Sequence, residues 1–194
     1  MAIKTQTDNK FLGTKLLLRR HFLEKYHRGG ASVFDACCGD QKIWSTLRRD
    51  YKVSYFGADW KKTKLRVNSA RLCEDPAYAQ FDIVDIDTYG SPWAHFFNLL
   101  PNVKKPITIF LTVGKRGAFS RMRLPQVVCE VIGLGGIKNI PIAILQNINA
   151  EHGTDYALLH AQDFDLVYEE IKEAFPCTNA RHLGLRLKPR IDKS

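Results

Sequence analysis

Metal-ligand spacing is missing from this chain: it has no Cys-x-x-Cys pair and no close pair of histidines, and its six histidines are scattered. A zinc site of the usual kind is therefore not expected, and no metal is assigned. The five cysteines are an odd number, and Cys37 and Cys38 are adjacent in what reads as a buried strand end. This argues against a disulfide framework and for a reducing compartment. No apolar run approaches the length of a membrane span, and the opening MAIKTQTDNKF holds no apolar core of signal-peptide length. A soluble, cytoplasmic chain without a membrane partner is the expectation. Neither G-x-G-x-x-G nor G-x-x-x-x-G-K followed by Ser or Thr occurs. The bare amides that would cradle a pyrophosphate or triphosphate are thus lacking, and a dinucleotide or P-loop site is disfavoured. Repeats and low-complexity tracts are absent too, so residues 1–194 are read as a single domain. Acid is also in short supply, with 20 Asp and Glu against 29 Lys and Arg, a net charge of +9. That balance favours a polyanionic partner, RNA or DNA, over an acidic small molecule.

What is present alternates between strand and helix patterns. From Asp8 to Arg28, Phe11, Leu12, Leu16, Leu18, Phe22, Leu23 and Tyr26 recur at helical spacing between Lys10, Lys15, Arg19, Arg20, Lys25 and Arg28. This predicts an amphipathic helix with a basic outer face, packed on a sheet edge and ended by Gly29-Gly30. Val33 to Cys38 reads as a strand, Gly39-Asp40 as a turn, and Gln41 to Arg49 as a helix with Ile43, Trp44 and Leu47 inward. Val53 to Ala58 is a second strand, and a short third is placed at Leu65 to Val67. Phe81 to Asp87 supplies the fourth, Trp93 to Leu100 a helix, and Ile107 to Gly114 a fifth buried strand. Leu124 to Gly133 reads as a helix, Ile140 to Ile148 as an edge strand or irregular segment because of Pro141, Asp163 to Phe175 as a helix, and His182 to Leu187 as a last strand. The alternation predicts a three-layer α/β sandwich around a mostly parallel, Rossmann-like sheet of about seven strands.

Acids mark the ends of these strands. FDIVDIDTYGSP, residues 81–92, is an Ile- and Val-rich run that nevertheless carries Asp82, Asp85 and Asp87. A carboxylate in a buried strand is costly unless paired, and strand ends of this kind are where open α/β sheets bind ligands. Asp35 with Gly39, and then Asp59, stand at two earlier strand ends. Glycine lets the backbone approach a ligand, and an acid ending the second strand can accept hydrogen bonds from ribose hydroxyls, which together describe a pocket for an adenosine-containing cofactor. Asp85 has two readings, a hydrogen bond to a neighbouring loop or a place on the cofactor side.

VFDACCGD resembles the first cofactor motif of class I S-adenosylmethionine-dependent methyltransferases, and the spacing onward to FGADW resembles their second. FDIVDIDTYGSP is similar to the catalytic motif of the tRNA guanine dimethyltransferase family, a D-P-F-G-S-P type sequence after an apolar strand with an acid two residues earlier. The resemblance covers residues 31–113 and implies the class I methyltransferase fold with S-adenosylmethionine as cofactor. It makes 1–30 an N-terminal basic helix, 31–113 a cofactor-binding half and 114–194 a substrate-side half. It further implies that Asp35, Cys37 and Gly39 line the methionine end of the cofactor, that Asp59 holds the ribose and that Trp60 lies beside the adenine. Asp87 and the carbonyl of Thr88 would accept hydrogen bonds from an exocyclic amine of a base, and Tyr89 would stack on that base. Thr88 stands where that family has proline. Lys115, Arg116, Arg121 and Arg123 follow the fifth strand and form the candidate phosphate grip, with a solvated loop as the other reading. Lys10 to Lys15, KFLGTK, is also faintly similar to the pre-core motif of some DNA adenine methyltransferases, which helps hold the cofactor carboxylate; a plain helix start is the other reading. The activity implied is N-methylation of a base in RNA or DNA. The alternatives are an inactive methyltransferase-like binding or scaffold protein, and a methyltransferase acting on a small molecule or protein.

Overall fold

The computed structural model describes residues 11–59, 68–88, 91–114, 153–174 and 180–190. Helix α1 (Leu12–Tyr26) leads into strand β1 (Ala31–Asp35), followed by α2 (Lys42–Leu47), β2 (Val53–Gly57) and the short α3 (Ser69–Leu72). Then come β3 (Ile83–Ile86), α4 (Trp93–Leu99), β4 (Ile107–Gly114), α5 (Gly153–His160), β5 (Leu166–Glu173) and β6 (Ala180–Pro189). The described strands form one six-stranded sheet in the order β2-β1-β3-β4-β6-β5. β2, β1, β3 and β4 run parallel, and β6 lies antiparallel between β4 and β5. The mixed, mostly parallel α/β architecture read from the sequence is therefore present, with six described strands instead of seven. The strand placed at 65–67, the helix at 124–133 and the segment 140–148 lie outside the described residues.

Alternation along the strands sorts two faces. Phe34, Val84, Ile86, Ile107, Ile109, Leu111, Val113, Leu183, Leu185 and Leu187 all belong to one apolar cluster, completed by Trp93, Phe96 and Phe97 of α4 and Ala157 and Leu158 of α5. The intervening residues, Val33, Ile83 and Phe110 among them, pack with Leu18, Phe22 and Leu23 of α1 and Trp44 and Leu47 of α2. Helices thus cover both faces, as an all-buried parallel core requires.

Two expectations need correction. Helix α1 lies across a face of the sheet instead of along its edge. Its Phe22 ring sits over Gly184 on β6, so close that a Cβ there would run into the ring at Cε2. Its far end reaches the edge strand β5, where His21, Lys25 and Tyr26 converge on the Glu170 carboxylate at 2.7–2.9 Å. The second correction concerns 163–175, where Leu166–Glu173 is a strand and not a helix. Its Glu- and Lys-rich second half has good helix formers, but pairing with β6 along most of its length overrides that preference. A register shift between Tyr168 and Glu170 also breaks the two-residue alternation that would have announced a strand.

Candidate active site

The carboxyl ends of β1, β2 and β3 come together as the βαβ arrangement demands. Beyond the last ladder pair, Ala36 N–H donates to Asp85 O at 2.9 Å, Ala58 N–H to Asp35 O at 2.8 Å and Cys38 N–H to Ala58 O at 3.0 Å, so the strand ends are pinned to one another. The turn after β1 passes through left-handed backbone at Gly39 and Gln41, with φ of 47° and 58°. This orientation aims the Gly39 amide at Asp59, whose carboxylate accepts it at 3.0 Å. Gly39 and Asp59, singled out on separate motifs, are direct partners. Asp35 is buried between them and β3; it accepts from Tyr55 OH at 3.0 Å and Cys37 N–H at 3.3 Å. Burial and the neighbouring charges of Asp85 and Asp87 hold its pKa well above the usual carboxylate range, only partly offset by Tyr55 and Arg19.

Asp85 and Asp87 point to the face that α1 covers, and the helix brings a cation to each. Arg19 is 1% exposed and forks onto Asp85, which is equally buried, with Nε and Nη2 at 2.7 and 2.6 Å. Trp44 Nε1 adds a third donor at 2.8 Å. Burial alone would weaken the Arg19 cation, but the Asp85 charge and hydrogen bonds more than reverse that. Neither role read for Asp85 describes these contacts: its donors are side chains of the helices α1 and α2 and not a neighbouring loop. Four residues earlier on α1, Lys15 Nζ donates to both oxygens of Asp87 at 2.7 and 2.6 Å. Burial pushes the Asp87 carboxyl up, yet the Lys15 and Arg19 charges and the hydrogen bonds from Lys15 outweigh it and lower its pKa. Asp87 is therefore an anion, and its side chain is still 19% exposed. The basic outer face expected for α1 needs the same correction: Lys15 and Arg19 turn inward, because the buried acids of β3 need partners more than two cations need water.

The spacing behind this pairing is simple. Four helical residues advance about 6 Å along a helix axis, and two strand residues advance about 6.6 Å. Lys-x-x-x-Arg on α1 and Asp-x-Asp on β3 therefore match as antiparallel rulers, Lys15 to Asp87 and Arg19 to Asp85.

Several polar groups at this end were not singled out from the sequence. Thr112, in register with His182 across β4 and β6, has its hydroxyl 3.1 Å from His182 Nδ1. Cys37 Sγ lies 3.8 Å from both Ser69 Oγ and His95 Nε2, which are themselves 2.8 Å apart. Burial holds the Cys37 thiol protonated and lowers the His95 pKa to about 4. Among the described residues, Thr88 Oγ1, Ser91 Oγ, His95 Nδ1 and His182 Nε2 are buried without a hydrogen-bond partner. Such groups flank the crevice where a ligand is expected, and this is the observation that fits an adenosine-bearing cofactor and a polar substrate to the site. The local signals were weak, since Ser69, His95, Thr112 and His182 each sit in ordinary helix or strand context. Trp60, Tyr89, Lys115, Arg116, Arg121 and Arg123 lie outside the described residues. Among those described, no helix is long and apolar enough to cross a membrane, and no group of three His, Cys, Asp or Glu side chains could hold a metal ion.

No protein-family model matches the chain, and no curated protein matches it. Among solved structures, Trm1 from Pyrococcus horikoshii in complex with S-adenosyl-L-methionine superposes with a TM-score of 0.62 at 12% identity, covering 95% of this chain and 57% of that one. A Listeria monocytogenes protein assigned to the class I S-adenosylmethionine-dependent methyltransferases gives a TM-score of 0.53 at 12% identity, covering 100% of this chain and 64% of that one. The [4+2]-cyclase SpnF gives 0.51 at 13% identity, covering 91% of this chain and 81% of that one. This chain thus spans less than two thirds of the length of the first two. At such identities the likeness is one of fold: the chain has the Rossmann-like architecture that these methyltransferases, and a cyclase, share.

Proposed function

We propose that the chain is an S-adenosylmethionine-dependent methyltransferase that acts on an exocyclic amine of a base in RNA or DNA. The observation that carries this reading is Asp87, held as an anion at the open end of β3, one residue before the Thr88 carbonyl and beside the Asp35–Gly39–Asp59 cluster. Residues 31–113 form the cofactor half in this reading, and 114–194 the substrate side. Asp35, Cys37 and Gly39 would line the methionine end, and Asp59, oriented by the Gly39 amide, would take the ribose hydroxyls. Trp60 would lie beside the adenine, with Tyr89 stacking on the base and Lys115, Arg116, Arg121 and Arg123 gripping phosphates. Bound S-adenosylmethionine supplies an electrophilic methyl group on a sulfonium centre. The chain's own task is orientation. A base amine is a poor nucleophile because its lone pair is delocalised into the ring. An anionic acceptor favours the pyramidal amine in which positive charge develops. A carboxylate has about four lone-pair sites, so Asp87 can accept from Lys15 and from a substrate N–H together. Lys15 also keeps it ionised, which makes it a stronger acceptor for a developing cation than a neutral carbonyl.

The same contact favours a second reading. Lys15 engages both Asp87 oxygens, and Thr88 stands in place of proline, as in a protein that keeps the fold and binds nucleic acid without transfer. Calorimetry with S-adenosylmethionine and transfer of labelled methyl to RNA and DNA pools separate the two. Binding with transfer supports the enzyme, and Asp87→Ala then abolishes transfer while cofactor affinity stays, whereas Asp59→Ala weakens the cofactor. Salt-dependent nucleic-acid binding without cofactor heat or transfer supports the second reading and overturns the first.

A further inference from the structure

Three acids and two cations meet where α1 crosses the strand ends. Asp35 and Asp85 are ladder partners on β1 and β3. They stand two residues beyond Val33 and Ile83, so their side chains share the face that α1 and α2 cover. Neighbouring strands lie about 4.8 Å apart, and the two carboxyl groups are therefore side by side, 5% and 1% exposed. Asp87 follows two residues further along the same chain. Both cations are committed elsewhere: Arg19 gives Nε and Nη2 to Asp85 and Nη1 to the Lys15 carbonyl at 3.2 Å, and Lys15 gives Nζ to both oxygens of Asp87. Among the described residues Asp35 has only neutral donors, the Tyr55 hydroxyl at 3.0 Å and the Cys37 amide at 3.3 Å.

The other charged and titratable neighbours do not fill the gap. Exposed Arg48, after α2, lies over the Tyr55 ring, 4.8 Å from its centroid. Burial keeps the Cys37 and Cys38 thiols protonated, and the Asp59 carboxylate takes the Gly39 amide. The strand-end cluster is thus one positive charge short. Two adjacent buried carboxyl groups do not both ionise unless each has a cation. Asp85 has Arg19, so Asp35 is the one left holding a proton. Burial, then the charges of Asp85 and Asp87, push its pKa in the same direction. A second observation places a ligand beside it. Cys37, whose amide bonds Asp35, has its Sγ 3.8 Å from His95 Nε2, and His95 Nδ1 is buried with no hydrogen-bond partner. An orphaned ring nitrogen one contact away from an acid that lacks a cation fits a pocket completed by a polar, positively charged ligand.

We propose that Asp35 exchanges its proton for the positive charge at the methionine end of the cofactor. In the free chain the carboxyl is protonated. When that charge reaches the close of β1, the Asp35 O–H bond breaks, its electron pair stays on the carboxylate and the proton leaves to solvent. The methionine end of S-adenosylmethionine is net positive, an ammonium and a sulfonium against a carboxylate, and it supplies the charge the cluster lacks. This rests on the methyltransferase reading for the identity of the ligand; the protonation of Asp35 in the free chain does not. Asp35 thereby selects for the charged end over the nucleoside alone. Release of one proton per ligand makes affinity rise about tenfold per pH unit below the free-chain midpoint of Asp35.

The test has two arms, both on the full chain. Carbon-detected NMR follows the Asp35 carboxyl, assigned by its loss in Asp35→Asn. It titrates above the ordinary carboxylate range in the free chain, saturating S-adenosylmethionine moves the midpoint down, and methylthioadenosine, which lacks the methionine end, leaves it in place. A free-chain midpoint in the ordinary range overturns the proposal. Calorimetry is then run between pH 5 and 7, where the cofactor amine is an ammonium and His95 and His182, each held to about 4, are neutral. Buffers of different ionisation heat show about one proton released per S-adenosylmethionine bound and none for methylthioadenosine. Asp35→Asn releases none; its affinity is flat with pH, near the wild type at pH 5 and roughly a hundredfold weaker at pH 7. Should that variant fail to fold, Tyr55→Phe keeps the acid and removes its hydroxyl donor, so the Asp35 midpoint and the upper end of the affinity rise move up together. Either one moving alone overturns the exchange. Cofactor binding without proton release, or with the same release in Asp35→Asn, overturns the exchange and leaves the proposed function standing. No binding heat from S-adenosylmethionine overturns the proposed function and the exchange with it, and the free-chain titration then judges the charge count by itself.

Discussion

The two faces of the sheet are built on opposite principles. The side chains that β1, β3, β4 and β6 bury under α4 and α5 are apolar, from Phe34 through Leu187. The face under α1 and α2 buries Asp35, Asp85, Thr108, Thr112 and His182 beside Val33, Ile83 and Phe110. Burial on the first is non-directional and adds up residue by residue. On the second each polar group has value only while its partner is present, so this face is conditional on pH, on charge and on the position of one helix. The difference teaches a division of labour: the apolar face holds the sheet rigid, and the polar face uses that rigidity to keep paired charged groups in place at the strand ends.

The largest expected effect breaks the contrast at Arg19 and Asp85. Asp85→Asn leaves a buried guanidinium without its counter-charge and lowers stability in urea unfolding by about 3–5 kcal/mol. Arg19→Met with Asp85→Leu recovers most of that loss, though not all, because Trp44 Nε1 loses its acceptor. Leu185→Ala on the other face costs about 2–5 kcal/mol with no partner substitution able to repair it.

Acid sharpens the contrast next. His27 and His182 on the polar face, and His95 at the crevice, are each held to a pKa of about 4, in every case mainly by burial. An unfolded histidine takes its proton near pH 6.5, so between that pH and about 4 the unfolded state binds more protons. Stability therefore falls as pH drops through this window, by about 1.4 kcal/mol per pH unit for each histidine. Thermal melts from pH 7 to 5 read the slope, which Leu185→Ala leaves unchanged and His27→Gln reduces by one histidine's share.

The smallest effect has the opposite sign. Asp35 has a folded pKa raised above its unfolded value, so ionising it penalises the fold increasingly as pH rises. Asp35→Asn should raise the melting temperature by a few degrees at neutral pH, with the gain shrinking as pH is lowered. A lower melting temperature at pH 8 than in the wild type would contradict this account.

Much of the fold was legible because apolar runs bounded by Gly, Pro and acids announce buried parallel strands, as at Ile107–Gly114. Edge strand β5 was not, because an edge is half solvated and its bulge hides the alternation that a paired strand would show. At the strand ends, the places of Asp35, Gly39 and Asp59 were legible because each stands at the close of an apolar run or in the turn after it. Lys15 and Arg19 read as solvated cations because helical periodicity reports which residues share a face and not what that face meets. Their role becomes visible only when Lys-x-x-x-Arg is laid against Asp-x-Asp from a strand 66 to 72 residues away. Thr112 and His182 needed a register that only the assembled sheet supplies.

The seat of Phe22 on Gly184 bears on all of this. That glycine sets the clearance between α1 and the sheet, and the ion pairs of Lys15 and Arg19 work within that clearance. A single methyl group at 184 would act as a shim, lifting the helix by a fraction of its contact distance. The shim would stretch two charge contacts it never touches. The accuracy of the polar site is thus machined by an apolar surface, and the tolerance is written in a residue with no side chain at all.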